Sequence, residues 1–203
     1  VIVLFADTPL FRPETLAAVC AALAGGAHIA VVGFEPKDPT NYGRLIRGAD
    51  GRLAAIREHR DASLEELRTT LCNAGVMGFR SERMLELLDA IADTNAKGEY
   101  YLTDAVALAR ARNLGIDVIV CPEEEVLGVD SRDKLAAAEA IFQRRARLAA
   151  MTGGATLIAP ETVWLAHDTR IGRDVTIEPN VFFGPGCVVE DGARIMANCH
   201  IEG

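Results

Sequence analysis

The last third of the chain places its apolar residues at intervals of six. One series has mostly large aliphatic or aromatic side chains, and a second series, two positions earlier, has small or β-branched ones. A helix repeats about every 3.6 residues and a strand about every 2, so neither alone explains this spacing. It is typical of a solenoid of short strands whose coils stack to bury their apolar faces. The first series comprises Leu165, Ile171, Ile177, Phe183, Val189, Ile195 and Ile201, and the second Val163, Thr169, Val175, Val181, Cys187, Ala193 and Cys199.

The part before these repeats alternates between strand and helix patterns. Val1–Ala6 is a continuous apolar run, which favours a strand buried on both faces of a parallel sheet. Pro13 and Gly25 bracket a helix, and Ile29–Phe34 is the next strand, so the three elements form a strand–helix–strand unit. Asp50 and Gly51 indicate a hairpin turn. Further strands are predicted at 44–47, 53–58, 71–79 and 116–121, and further helices at 82–91 and 103–112.

A long polar segment joins the two patterns. Residues 131–150 are rich in Ala, Arg, Glu and Lys, with apolar residues at helical spacing, and 151–160 reads as a linker. The sequence therefore predicts an α/β layer domain, a connecting helix and a β-solenoid.

Charge and composition exclude several classes of protein. A net charge of −8 and a pI near 5.0 argue against nucleic acid and anionic membrane surfaces as partners. No apolar run approaches membrane-spanning length, and no signal peptide is present. The 5 cysteines form no C-x-x-C pair, which predicts reduced thiols and a cytoplasmic location. Because the chain opens on Val1 inside a strand pattern, we expect it to be a segment of a longer protein, cut at both ends.

The clearest candidate for metal chemistry is Asp7. It follows the first predicted strand, and ligands of open α/β sheets bind beyond the carboxyl ends of the strands. A carboxylate there suits Mg²⁺ bound with substrate phosphates. For a single Asp, a turn or helix-capping role before Thr8-Pro9 is the stronger explanation.

Four other positions admit both a binding and a structural interpretation. Gly43 allows close backbone approach to a ligand or simply makes a turn. Glu58 accepts hydrogen bonds from sugar hydroxyls or is a solvated strand-end residue. Asn73 lies in an apolar strand and needs partners from a ligand or from the protein. Asp130 binds a metal or caps the long helix.

In order, these segments resemble a known bacterial family. The motifs are Phe5-Ala6-Asp7-Thr8-Pro9-Leu10, Tyr42-Gly43-Arg44, Glu58-His59-Arg60-Asp61-Ala62, Asn73-Ala74-Gly75, Gly98-Glu99-Tyr100-Tyr101-Leu102-Thr103-Asp104 and Gly128-Val129-Asp130-Ser131-Arg132, followed by hexapeptide repeats. The chain is similar over its full length to the bifunctional N-acetylglucosamine-1-phosphate uridylyltransferase / glucosamine-1-phosphate N-acetyltransferase.

The resemblance implies a role for each candidate residue. Asp7 and Asp130 match the family's two Mg²⁺ ligands, and Asp130 stands where the family usually has Asn. Phe5 and Ala6 match sugar-nucleotide contacts that are usually Tyr-Gly. The residues implied to bind substrate are Phe5, Ala6, Asp7, Gly43, Glu58, Asn73 and Asp130.

The resemblance also implies three domains. Residues 1–132 correspond to the C-terminal part of an incomplete Rossmann-like nucleotidyltransferase domain, 133–153 to a linker helix, and 154–203 to the first coils of a left-handed parallel β-helix. The family's nucleotide-binding glycine-rich loop is expected before Val1, and the acetyl-coenzyme A site after Gly203. The segment alone is therefore expected to be inactive.

The implied reaction transfers UMP from UTP to N-acetylglucosamine-1-phosphate and yields UDP-N-acetylglucosamine and pyrophosphate, for peptidoglycan and lipopolysaccharide synthesis. The full-length protein is implied to acetylate glucosamine-1-phosphate with acetyl-CoA and to form a homotrimer. Two alternatives stay open: a nucleotidyltransferase for another sugar-1-phosphate, and a non-catalytic solenoid that serves in assembly.

Overall fold

The structure is a computed structural model that describes residues 1–95 and 97–203. It contains two compact units, Val1–Val129 and Asp130–Gly203. The first is a mixed α/β unit and the second carries the repeats. Among the described residues, no helix is both long and apolar enough to cross a membrane.

The first unit is built on one mixed sheet. Its strands run in the order β4-β3-β5-β2-β6, and β1 also pairs with β5. Only β2 and β6 pair in parallel, while the other ladders are antiparallel. The strands are β1 (Ile2–Val3), β2 (Ile29–Phe34), β3 (Arg44–Arg47), β4 (Leu53–Arg57), β5 (Cys72–Phe79) and β6 (Ile116–Val120), and the helices are α1 (Pro13–Ala24), α2 (Ser81–Leu88) and α3 (Asp104–Ala111), with short 3-10 turns at Glu66–Arg68 and Glu123–Glu125.

The predicted buried parallel strand at 1–6 is wrong. Only Ile2 and Val3 form a strand, and they pair antiparallel with β5. Leu4 and Phe5 are 46% and 59% exposed. Since β5 pairs with β1 on one edge and β2 on the other, the two strands of the predicted strand–helix–strand unit are not neighbours. No other described strand pairs with β1, and its side chains are half-buried, Ile2 against the core on one face of the sheet and Val3 against the core on the other.

Helices cover both faces of this sheet. Alternation along β2 sends Ile29 and Val31 into a core with α2 and α3, and sends Ala30, Val32 and Phe34 into a core with Val19 of α1. The remaining predicted helices and strands of this unit are present, with ends displaced by a few residues. Helices on both faces of a sheet leave its strand ends as the place where loops meet.

The second unit consists of a long helix and stacked short strands. Strands 18 residues apart pair in parallel, which makes three small parallel ladders. The predicted inward stacks are confirmed: Ile177 is 0% exposed and Phe183 1%. The helix is α4 (Arg132–Thr152), and the strands are β7 (Thr156–Leu157), β8 (Arg170–Ile171), β9 (Thr176–Ile177), β10 (Phe182–Phe183), β11 (Val188–Val189), β12 (Arg194–Ile195) and β13 (His200–Ile201), with a 3-10 turn at Pro160–Thr162.

Candidate functional site

Three of the predicted binding residues come together at one end of the sheet. Strand β3 pairs with β4 on one side and with β5 on the other. Gly43 precedes β3, Glu58 follows β4, and Asn73 lies in β5, so the antiparallel register sets them side by side. The Asn73 amide donates to the Gly43 carbonyl at 2.8 Å. A Cβ on Gly43 would lie only 3.3 Å from Glu58 Oε2, so glycine lets the carboxylate approach the backbone.

Thr103 extends this group. Its hydroxyl donates to Glu58 Oε1 at 3.2 Å and makes no capping bond to α3, although it is the residue before that helix. Thr and Asp are common residues at the start of a helix, so the sequence alone favours a capping role for Thr103 or Asp104. A contact 45 positions away in the chain leaves no local signal, and only the Glu99-to-Asp104 motif marked this segment.

Phe5, near the start of the first unit, lies next to the group that contains Asn73. Its ring lies over Gly75, where an added Cβ would meet Phe5 Cε2 at 2.3 Å. Gly75 has a φ of +80°, in the irregular part of the β2–β5 pairing, and its amide donates to Asn73 Oδ1 at 3.2 Å. Thr8 Oγ1 also donates to the Phe5 carbonyl at 3.1 Å. Gly75 therefore links Phe5 to Asn73.

Ala6 and Asp7 are exposed beside this segment. The Asp7 carbonyl accepts the Val129 amide at 2.7 Å, and a Cβ on Gly128 would lie 3.5 Å from Asp7 Oδ2. Gly128 and Val129 therefore lie next to Asp7. The Asp7 carboxylate is free to face solvent or a ligand.

Asp130 begins the second unit, and its carboxylate has a protein partner. Lys134 Nζ donates to Asp130 Oδ2 at 2.8 Å, and this hydrogen bond lowers the pKa of Asp130. Ser131, rather than Asp130, occupies the N-cap position of α4. The convergence of Asp7 and Asp130 on one ion stays a prediction, because the two residues belong to different units.

The described residues do not by themselves form a metal centre. Residues 1–95 and 97–203 contain no group of three or more His, Cys, Asp or Glu side chains that suits a metal ion. Lys134 also competes with a cation for the Asp130 carboxylate. The residues therefore fit an ion held mainly by substrate phosphates better than one in a protein cage.

Two adjacent cavities open at Glu58. One of about 380 Å³ has an apolar side at Ile56 and Leu108 and carboxylates at Glu58 and Asp104. The other, of about 310 Å³, is polar and includes Asn41, His59 and Lys97. Glu58 and Tyr101 line both. Mixed apolar and hydroxyl-accepting walls suit a ligand with a polar, hydroxyl-bearing ring.

Negative charge shapes the acid–base behaviour of these walls. The pKa of Tyr101 is raised by desolvation first and then by the charges of Asp61, Glu99 and Glu58. Burial also raises the pKa of Asp104, with a further contribution from Asp61. Tyr101 therefore remains a hydroxyl donor at neutral pH.

Comparison with known proteins assigns the repeat region to a described family. Residues 168–203 match the family "Bacterial transferase hexapeptide (six repeats)". This region includes the stacked strands from β8 to β13. Residues 168–203 of the second unit are thus a hexapeptide transferase region.

Curated relatives match the whole chain. "Bifunctional protein GlmU" of Azorhizobium caulinodans is 58% identical over 203 residues, and that of Xanthobacter autotrophicus 56% over 203 residues; each alignment covers 100% of this chain and 45% of the relative. The Hyphomonas neptunium protein of the same name is 51% identical over 201 residues, covering 99% of this chain and 44% of its own length. The chain spans a little under half the length of these relatives. Over the region that it spans, the chain belongs to the family of bifunctional GlmU proteins.

Proposed function

We propose that the first unit carries the sugar side of a uridylyltransferase site that forms UDP-N-acetylglucosamine. The observation that carries the proposal is the grouping of Gly43, Glu58 and Asn73, joined by Phe5 through Gly75. The family resemblance had assigned these residues to substrate from motifs far apart in the chain. In this proposal the unit is the C-terminal part of a Rossmann-like nucleotidyltransferase domain (1–132), followed by a linker helix (133–153).

The group offers complementary donors and acceptors to an N-acetylated sugar. The Glu58 carboxylate accepts hydrogen bonds from ring hydroxyls. Asn73 Oδ1 already accepts a hydrogen bond from the Gly75 amide. The side-chain Nδ2 of Asn73 is therefore the group that can donate to an acetamido carbonyl. The absence of a Cβ at Gly43 lets the Glu58 carboxylate lie against the backbone of the turn before β3, which fixes this acceptor in place.

The proposed reaction needs positioning more than covalent help from the protein. A phosphate oxygen of N-acetylglucosamine-1-phosphate attacks the α-phosphorus of UTP in line, the bond to the β-phosphate bridging oxygen breaks, and pyrophosphate leaves. The group around Glu58 fixes the sugar, so that its phosphate points toward the nucleotide. When bound, Mg²⁺ would neutralise phosphate charge, with Asp7 as a carboxylate ligand and Asp130 as the second one after exchange of Lys134.

For the second unit we propose the first coils of an acetyltransferase (154–203). The hexapeptide family match and the parallel pairing of strands 18 residues apart support a left-handed parallel β-helix. In the whole protein this region is proposed to form a homotrimer and to take acetyl-CoA and glucosamine-1-phosphate. No catalytic residue for acetyl transfer is assigned within residues 1–203.

The test is steady-state kinetics on a chimera in which this chain replaces the 203 aligned residues of the A. caulinodans protein. Asn73→Ala and Glu58→Gln should each raise the KM for N-acetylglucosamine-1-phosphate about tenfold, because a polar contact to the sugar is lost. The KM for UTP should stay within about twofold. Asp7→Ala should abolish uridylyl transfer and leave acetyl transfer nearly intact.

Glu65→Gln is the matched control, since Glu65 is exposed and outside the group. Unchanged sugar-phosphate KM values in both Asn73→Ala and Glu58→Gln would refute the assignment. A panel of glucose-, mannose- and N-acetylglucosamine-1-phosphates identifies the sugar, and equal use of all three would favour a nucleotidyltransferase of another specificity.

A further inference from the structure

Arg44 is a buried cation directly beneath the proposed sugar site. It is 2% exposed, although it is the first residue of β3 and follows Gly43. Successive residues of a strand face opposite sides of the sheet, so Arg44 lies on the face away from Glu58. The buried cysteine at the paired position of β5, Cys72, lies on the same face as Arg44.

The Arg44 guanidinium holds the turn that carries Gly43. Its Nη1 donates to the Pro39 carbonyl at 2.7 Å and also to the Tyr42 carbonyl. The Tyr42 ring packs edge-on against Phe34, with centroids 4.9 Å apart. These contacts join residues 39–42 to the core under the sheet.

This arrangement is costly for the fold itself. Arg44 Nε is buried without a hydrogen-bond partner. The negative charge of Asp38 acts on Arg44, but this carboxylate is itself exposed to solvent. Removing a guanidinium from water with so weak a counter-charge is unfavourable. Its strand neighbour Leu45 shows that apolar residues fit β3. A charged residue here therefore has a function that an apolar residue would not supply.

We propose that Arg44 is a positioning residue of the sugar site. By fixing the carbonyls of Pro39 and Tyr42, it holds Gly43 against Glu58 and Asn73 before the sugar arrives. This inference rests on the proposed function, because the site that it organises is the one for N-acetylglucosamine-1-phosphate. Arg44 itself does not touch the substrate.

The experiment compares Arg44→Met, Arg44→Lys and Arg47→Met in the same A. caulinodans chimera. Arg47 is the matched control, because it is an exposed arginine at the far end of β3 that bonds only to the Gly51 carbonyl. Arg44→Met should raise the KM for N-acetylglucosamine-1-phosphate about tenfold and leave the KM for UTP within about twofold. Arg44→Lys keeps a donor for one carbonyl and should recover part of the loss, while Arg47→Met should change neither KM.

Hydrogen exchange of peptides spanning 38–43, measured on the 203-residue chain, reads the turn without any substrate. Faster exchange in Arg44→Met but not in Arg47→Met supports the anchoring role. A mobile turn with an unchanged sugar-phosphate KM would overturn the positioning role, as would equal losses for both substrates. If the chimera without any substitution folds but does not transfer UMP, the proposed function is refuted. The hydrogen-exchange result would then still test whether Arg44 holds the turn at 38–43.

Discussion

Each of the two units is stabilised internally by a different kind of contact. In the first unit, Glu125 is 1% exposed and accepts from the Arg12 amide, 113 positions away, and from Thr15 Oγ1 at 2.7 Å. It thereby caps the start of α1, whose own N-cap residue makes no side-chain cap bond. In the second unit, side chains bond to the next coil 18 positions away, as Asp191 does to the Arg173 amide.

The two kinds of contact differ in how much stability a single substitution removes. A unit built from non-local contacts depends on single side chains that no neighbour duplicates. A repeat unit divides its stability among similar interfaces between adjacent coils. We therefore expect the first unit to be more sensitive to one buried polar substitution than the second unit is to the loss of one turn residue.

The largest effect should come from Glu125→Ala. It leaves the Arg12 amide and Thr15 Oγ1 without their acceptor at the start of α1 and removes one of the two carboxylates beside the Arg12 side chain, which should lower the free energy of unfolding of the first unit by about 3 kcal/mol. Urea unfolding followed by circular dichroism measures this loss. Trp164, the single tryptophan, lies in the second unit and should report an unchanged midpoint.

Cys121 supplies a second readout of the same variant. Burial, and then the charge of Glu125, raises the pKa of the Cys121 thiol to about 12, so little thiolate exists at pH 8 in the folded unit. Thiol reagents should modify exposed Cys20 first. Glu125→Ala should speed modification of Cys121, because it removes a charge that raises the thiol pKa and also lets the start of α1 open locally. Glu124→Ala, the adjacent half-buried partner of Arg12, is the control and should cost less than about 1 kcal/mol. Equal losses in both variants would contradict the cap.

A middle-sized effect is expected for Gln143→Leu in the second unit. The Gln143 side chain is 2% exposed and pairs twice with Leu165, donating to its carbonyl at 2.7 Å and accepting its amide at 3.0 Å. Leucine leaves both backbone groups buried and unpaired, at a cost of about 2 kcal/mol. Trp164 fluorescence during urea unfolding measures this loss of stability. The control is Leu135→Ala, a substitution at an exposed position of the same helix. A midpoint equal to that of the control would show that the pairing contributes nothing.

The smallest effect should come from a turn between coils. Asn180 has a φ of 60°, and its side-chain Nδ2 donates to Asn198 Oδ1 at 3.1 Å on the next coil. Asn180→Ala should cost about 1 kcal/mol, because a Cβ without a local hydrogen bond is disfavoured in the left-handed region. Asn180→Gly removes that strain and should cost less, measured by the same fluorescence transition. If alanine and glycine cost the same, backbone conformation is not the reason for Asn.

Local pattern was enough for most elements and for the repeat unit. The six-residue spacing places Ile177 and Phe183 in the core, and a register 18 residues long is three such units. The pattern failed at Val1–Ala6. An apolar run indicates that burial is favourable, but it does not determine which strand will pair with the run. The grouping of Gly43, Glu58 and Asn73 was expected through the family resemblance, whereas their spacing alone left each with a structural explanation.

The sequence by itself determined the order of strands and helices, the repeat and its inward-facing residues, since these follow from periodicities within short windows. Only the tertiary structure decided that β5 separates β1 from β2, that Thr103 reaches Glu58, that Phe5 covers Gly75 and that Arg44 lies under the turn before β3. In each case, strand pairing determines how far apart the two residues lie and which face of the sheet their side chains occupy. Pairing depends on the competition of all strands for the same edges, which no single window of sequence contains.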